Sequence, residues 1–224
     1  MPIKRTYAEC GDACMTARAV ELIGDRWTYP VLRELMLAPK RFKELSAAIC
    51  GVTPAVLTTR LREMEAAGLV ERVVLAPPAS VAVYRLTPWA RELEPTLHEL
   101  GRWAHRQPDR PPTCGGLTPD GVVQSMLTMA PPEPPEPPVR LQLDLHDERS
   151  PSDTRYGYRL DWDDDGLHIA RGTHPAADAH LRTGSTALAE MLYDLHGLPP
   201  EGDGAQVEGD RDAVERLLAA FSDA

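Results

Sequence analysis

Lysine is nearly missing from this chain: Lys4, Lys40 and Lys43 are the only three in 224 residues. Arginine carries the remaining positive charge, and with abundant Ala, Asp and Pro this hints at a GC-rich bacterial coding sequence. No stretch approaches the roughly 20 apolar residues needed to span a bilayer, so a membrane helix is not expected. The first dozen residues are polar and hold no signal-peptide core, which predicts a cytoplasmic protein. Its four cysteines (10, 14, 50 and 114) are then expected to be reduced at rest. No Ser/His/Asp or Cys/His arrangement, phosphate-cradling glycine loop or dinucleotide fingerprint is present, so neither an enzyme nor a cofactor is expected. Metal signals are weak. Asp161, Asp163, Asp165 and Gly166 open like a calcium loop, but the twelfth position is Gly172 where a bidentate Glu is needed. Asp165-Gly166 reads better as a hairpin turn. His168, His174 and His180 lack zinc-ligand spacing.

The net charge is −10, and it is unevenly divided. Residues 1–112 hold 16 Lys/Arg against 13 Asp/Glu, a net of +3. Residues 113–224 hold 8 against 21, a net of −13. One half can approach phosphate and the other must stay away from it. The length also favours two domains.

The most informative stretch runs from Arg41 to Leu86. It reads as a short helix, a turn at Cys50-Gly51, a longer helix, and two strands around a Pro-rich loop. Thr53 is a natural N-cap, Pro54 suits the first helical position and Gly68 is a stop. Leu57, Leu61 and Met64 share one stripe, which leaves Ala55, Thr58, Thr59, Arg62 and Ala66 on the opposite face. That small, hydroxylated, basic face suits a DNA major groove. Residues 69–74 and 81–86 alternate well enough to make an antiparallel wing. The order describes a winged helix-turn-helix; the plain alternative is a helical hairpin packed only for stability. Upstream, helices are expected over about Thr16–Ile23 and Trp27–Leu37. Downstream, Thr87 and Pro88 cap a helix running to about Arg106 and kinked at Pro95, with Trp89, Leu93, Leu97, Leu100 and Trp103 on one stripe.

Over about residues 8–106 the chain resembles the HxlR-type bacterial regulators, relatives of the MarR-type winged helix proteins. The resemblance rests on Cys14, Ile23-Gly24-Asp25-Arg26-Trp27-Thr28, Leu32-Arg33-Glu34-Leu35, Arg41-Phe42 with Leu45, Leu57-Thr58 with Leu61-Arg62-Glu63-Met64, Gly68-Leu69-Val70 and Tyr84-Arg85-Leu86-Thr87. It implies a transcriptional regulator, expected to be a repressor, that binds double-stranded DNA at a pseudo-palindromic operator. The expected DNA-facing set is Arg41, Ser46, Thr53, Ala55, Thr58, Thr59, Arg62, Arg72 and Arg85. The family also implies a homodimer built on the N-terminal segment and the helix bearing Trp89, Leu93, Leu97, Leu100 and Trp103; alternatively the two tryptophans close the monomer core. In some relatives a cysteine at the place of Cys14 is a redox or electrophile sensor, for which Cys10 would be the resolving partner; the bland reading is a small packing residue. Two departures stand out. The wing tip Ala76-Pro77-Pro78-Ala79-Ser80 has no basic side chain, and position 55 is Ala where relatives often have a polar or basic residue. Base reading then falls more heavily on Thr58, Thr59 and Arg62.

Residues 107–116 read as a linker between a domain over 1–106 and a second over 117–224. The second opens with a helix capped at Thr118-Pro119. The proline-rich Pro131–Pro138 follows, a rigid spacer rather than a ligand for a recognition module. Strands are expected over 139–145, 155–162, 167–170 and 179–183, a helix over 185–196, a Gly/Pro loop, and a helix over 211–221. The fold class is therefore α+β, a winged helix-turn-helix domain followed by an α+β domain. His180-Leu181-Arg182-Thr183-Gly184-Ser185-Thr186-Ala187-Leu188 and Val207–Arg211 with Leu217-Leu218 make this half similar to sterol-carrier-protein-like domains. The resemblance implies an apolar cavity for a hydrophobic effector, with Met126, Met129, Leu188, Met191, Leu192, Leu217 and Phe221 as its walls; the same residues could equally fill a dry core. A different class stays open: a carrier protein whose winged helix serves only dimerisation.

Overall fold

The computed structural model describes residues 6–108, 116–150, 154–193, 197–200 and 204–222. Cys114 and most of the expected linker lie outside them. The chain divides into two compact units, Met1–Glu94 and Pro95–Ala224. Among the described residues no helix is long and apolar enough to cross a membrane.

In the first unit, α1 (Met15–Ile23), α2 (Thr28–Met36), α3 (Phe42–Ala48) and α4 (Pro54–Ala66) precede a ribbon of β1 (Val70–Val74) and β2 (Ala82–Leu86), closed by the short α5 (Pro88–Arg91). Local chemistry sets the boundaries. Thr53 Oγ1 accepts from the Val56 N–H at 3.3 Å and Pro54 opens α4. Gly68 takes φ +74°, the left-handed turn that ends the helix. Thr87 Oγ1 accepts from Ala90 N at 3.1 Å and donates to Gly68 O at 2.7 Å, tying the end of one helix to the start of another. The ribbon pairs Val70 with Leu86 through Val74 with Ala82. Lys40 adds one antiparallel bridge to Tyr84, which widens the base of the wing. Val31, Leu32, Leu35, Leu45, Leu57, Leu61, Met64, Val70, Val83 and Leu86 form the core, all at 3% exposure or less. Inside it stands a carboxylate. Glu34 is fully buried, accepts from Arg33 Nη2 at 3.0 Å and holds the Lys40 ammonium. α1, by contrast, buries none of its residues.

The stripe from Trp89 to Trp103 is not on one kinked helix. α5 stops at Arg91 and α6 (Glu94–His105) starts afresh, with Pro95 in its first turn. A first-turn proline loses no hydrogen bond there, so a new helix costs less than a kink inside a long one.

The second unit takes in most of α6. It continues with α7 (Pro119–Met129), β3 (Val139–His146), β4 (Arg155–Asp163), β5 (Gly166–Arg171), β6 (Ala179–Gly184), α8 (Ser185–Tyr193), β7 (Ala205–Gly209) and α9 (Arg211–Ser222). α6 is fastened to α7: Arg102 donates to Thr128 O at 2.6 Å, and His98 bonds Gln124 at 3.1 Å. Gly101 permits the approach, since a Cβ there would lie 2.7 Å from Thr128 Cγ2. The sheet order is β5-β4-β3-β6-β7, with β3 and β6 parallel and the other pairs antiparallel. β7 falls in the stretch expected to be a Gly/Pro loop. Its five residues are short and bury only Ala205 fully, so the alternation is too weak to stand out in sequence. The helix expected over 185–196 is described to Tyr193, and residues 194–196 lie outside the described set. Asp163 pairs with Gly166, so the aspartate run is a β4–β5 hairpin turn, as expected.

Leu141, Leu143, Leu145, Tyr158, Leu160, Trp162 and Leu181 form the apolar face of the sheet, nearly sealed. α9 reaches it through Phe221, whose ring centroid is 5.3 Å from that of Trp162. α7 reaches it through the buried Asp120, which accepts from Tyr158 Oη and Arg171 Nη2, both at 2.7 Å. The Arg171 guanidinium also lies 4.3 Å over Tyr156 and 4.7 Å over Tyr158. On the opposite face Gln142 is buried: its Oε1 accepts from His174 N at 2.7 Å and its Nε2 donates to Asp144 Oδ1 at 2.9 Å.

The buried carboxylate gives a test. Lys40→Met leaves Glu34 with Arg33 in a site that held two cations, and losing a partner of a buried pair costs up to about 3–5 kcal/mol. Chemical denaturation should register that loss, whereas a loss below ~1 kcal/mol, the worth of a surface pair, would show the pair to be solvated.

Candidate nucleic-acid interface

The surface of the first unit is ordered by α3, the turn after it and α4. Arg41 opens α3, and its N–H donates to Glu44 Oε2 at 2.6 Å. Gly51 turns the chain at φ +80°, a conformation other residues reach only with strain. α4 then presents Ala55, Thr59, Arg62 and Ala66 along one ridge at i, i+4, i+7 and i+11, all exposed. Thr58 sits on the flank of this ridge and is only half-exposed. Arg62 makes no ion pair or hydrogen bond among the described residues, so its guanidinium is available.

Both threonine hydroxyls are already engaged. Thr58 Oγ1 donates to Pro54 O at 2.7 Å and Thr59 Oγ1 to Ala55 O at 3.1 Å. They were expected as base readers; in the structure their one proton each is given to the helix backbone.

The arginine at position 60, unremarked in the sequence, aims the helix. Arg60 Nη2 lies 2.6 Å from Asp25 Oδ2, and Nη1 lies 2.8 Å from Glu63 Oε2. Asp25 Oδ1 meanwhile accepts from the Trp27 N–H at 2.9 Å, at the entry to α2. One aspartate therefore starts α2 and anchors α4. The clue lay in angular position: Arg60 flanks the buried Leu57–Leu61 stripe, whereas Arg62 points away from it.

The remaining expected contacts separate into available and engaged groups. Arg41, Thr53 and Arg72 are exposed and Ser46 is half-buried. Arg85 Nε donates to Glu71 Oε1 at 2.7 Å, across the ribbon from its register partner. A phosphate would have to compete with that carboxylate. The wing tip is exposed throughout and offers no cation between Ala76 and Ser80.

Cys14 is the N-cap of α1 and fully exposed. The backbone N–H of Ala17, then that of Thr16, holds its thiol below the usual range. Cys10 lies in the preceding 3₁₀ turn, and Cys10, Cys14 and Cys50 are all free and exposed.

Of the dimerisation stripe, Leu97 is buried, Leu93 is half-exposed, and Trp89, Leu100 and Trp103 stand 53%, 46% and 70% exposed. Of the expected effector walls, Met126, Leu188, Leu192 and Leu217 are sealed in the core of the second unit, Phe221 is nearly so and Met129 is half-buried. Met191 borders a half-open cleft of about 290 Å³, shared with Gly197, Leu198, Glu215, Leu218, Ala219 and Ser222. No group of three or more His, Cys, Asp or Glu side chains is placed to hold a metal among the described residues. His174 bonds Asp161 at 2.9 Å and accepts from Ala176 N at 3.1 Å, which fixes a loop against the sheet.

Comparison with known proteins finds relatives over the first half of the chain. The HxlR-like helix-turn-helix family matches over residues 22–111. An HTH-type transcriptional regulator of Synechocystis sp. is 33% identical over 117 residues, covering 50% of this chain and 84% of the relative. The HTH-type transcriptional regulator YodB of Bacillus subtilis is 36% identical over 86 residues, covering 38% of this chain and 77% of the relative. A solved structure of reduced YodB, at 32% identity, covers 44% of this chain and 97% of its own, with a TM-score of 0.40. The chain belongs to the HxlR-like helix-turn-helix family, whose members are transcriptional regulators and not enzymes.

Proposed function

We propose that the protein is a cytoplasmic repressor that binds a pseudo-palindromic operator as a homodimer and takes a hydrophobic effector in its C-terminal domain. The observation that carries the DNA reading is the outward ridge of α4 with an uncommitted Arg62, on a helix clamped to the body by Arg60 and Asp25. Arg41, Ser46, Thr53 and Arg72 surround it as phosphate and edge contacts, and Arg85 joins them if it leaves Glu71. Two such helices about 34 Å apart would match successive major-groove turns. The exposed Trp89, Leu100 and Trp103, and an α1 that buries nothing, supply the apolar area for the dimer.

The effector domain is residues 117–224, beyond a linker at 107–116 and a DNA-binding and dimerisation domain at 1–106, whose last helix α6 groups with the second compact unit. A mixed five-stranded sheet with α7, α8 and α9 at its apolar face supports a sterol-carrier-like reading. The cleft beside Met191 and Leu218 is where an apolar molecule would enter. Cys14 is the sensor thiol: an exposed sulfur at a helix N-cap, with its thiolate favoured by two backbone N–H groups. Cys10, four residues earlier, is its resolving partner.

Three measurements test these statements. A gel-shift with DNA from around the protein's own gene should give salt-dependent binding, and Arg62→Ala should weaken it by about 1–3 kcal/mol if the guanidinium reads a base. If it touches phosphate, affinity falls evenly across sequences and the salt slope drops by about 1. Unchanged binding would remove α4 from the groove.

Because its thiolate is favoured, Cys14 should be alkylated at lower pH than free N-acetylcysteine. A disulfide-forming oxidant or a quinone should release DNA from the wild type and leave Cys14→Ser bound. Equal sensitivity of the two proteins would rule out Cys14 as the sensor.

For the effector, fatty acids, sterols, polyketides and aromatic compounds should be screened by thermal shift on the full chain. A ligand at a hundred times its dissociation constant stabilises by about 2.7 kcal/mol. No shift from any apolar class would assign this domain to structure or protein contact.

A further inference from the structure

The surface that α4 offers to DNA is mostly hydrocarbon. Thr58 and Thr59 donate their hydroxyl protons to Pro54 O and Ala55 O. Neither can donate to a base edge without breaking that bond. With its Oγ1 bonded back to Ala55 O, the exposed Thr59 keeps no hydroxyl proton for a base edge and still carries a methyl group. Ala55 precedes it by one turn on the same ridge, and Val56 stands beside it at 41% exposure. A β-branched apolar side chain on the outside of a helix contributes neither core burial nor helix propensity. Glu63, the acidic group on this side, is occupied by Arg60. The cation that remains on the ridge is Arg62, nearly two turns beyond Ala55.

The major groove has one apolar group that distinguishes bases, the thymine 5-methyl, and small apolar or threonine methyl groups are its usual partners. We propose that Ala55, Val56 and Thr59 read thymine methyl groups, so that each half-site carries thymine where the first two turns of α4 face it. Arg62 then fixes register from the end of this methyl-reading patch. The inference rests on the operator-binding reading above and specifies which chemistry of the operator is read. It also separates the three residues from Thr58, which sits half-buried on the flank.

A DNA fragment from around the protein's own gene is amplified with dTTP or with dUTP, and binding of the full chain is measured by fluorescence anisotropy. Uracil keeps every base-pair hydrogen bond and lacks only the methyl group. The uracil fragment should bind at least about fourfold more weakly, the value of one buried methyl at ~0.8 kcal/mol. Val56→Ala and Thr59→Ser should shrink that ratio towards one, while Thr59→Val, which keeps the methyl and loses the hydroxyl, should preserve it. Circular dichroism of each variant reports folding separately. Equal affinity of the wild type for both fragments overturns the proposal. So does a ratio unchanged by Val56→Ala and Thr59→Ser alongside lost binding by Thr59→Val, which would assign reading to the hydroxyl. Absence of binding to either fragment overturns the operator reading itself, and this inference with it.

Discussion

The first unit is built around a charge that has nowhere to go. Glu34 projects from the middle of α2 into the core, where an unpaired carboxylate would be prohibitive. Arg33 reaches it from the same helix, and Lys40 reaches it from the strand segment that follows. Lys40 is also the residue whose backbone pairs with Tyr84, donating at 3.0 Å and accepting at 2.8 Å. The ion pair therefore fixes the side chain of a residue whose main chain holds the wing. Helix, ribbon and core are tied by one lysine in a chain that has only three. An apolar replacement of similar shape could match the stability of such a pair.

Much of this was legible because the chain repeats one device. Thr53-Pro54, Thr87-Pro88 and Thr118-Pro119 each place a hydroxyl at the N-cap and a proline at the first helical position, and each hydroxyl accepts a backbone N–H from the third residue on. Such caps are local, so sequence alone reveals them. The buried stripe of α4 and the alternation of β3, β4 and β6 are local in the same sense. What escaped was decided at a distance. Arg60 belongs to Asp25, thirty-five residues earlier, and Gln142 to His174, thirty-two later. β7 exists because β6 offers it an edge, and its own five residues hardly alternate. The restart at Pro95 is hidden for a different reason: proline tells where a helix is disturbed, but not on which side of it the new helix begins.

The two halves spend their polar residues differently. In the first unit Glu34 is paired inside the core and Arg60 braces the outward helix, which leaves Arg62 as the cation without a partner on that ridge among the described residues. In the second, Asp120, Tyr158 and Arg171 join α7 to the sheet from within, and the excess of carboxylates stays outside. An acidic exterior keeps this half off the phosphate that the other half requires. The arrangement lets one chain carry a nucleic-acid surface and a separate packed domain without the second competing for the first.

The bond between Asp25 and Arg60 also bears on how α4 is aimed. Because one carboxylate both begins α2 and sets the direction of α4, the loop at Gly24–Arg26 controls aim without touching a base. A substitution in that loop would tilt the outward ridge of α4 as a whole while every side chain along it stays the same.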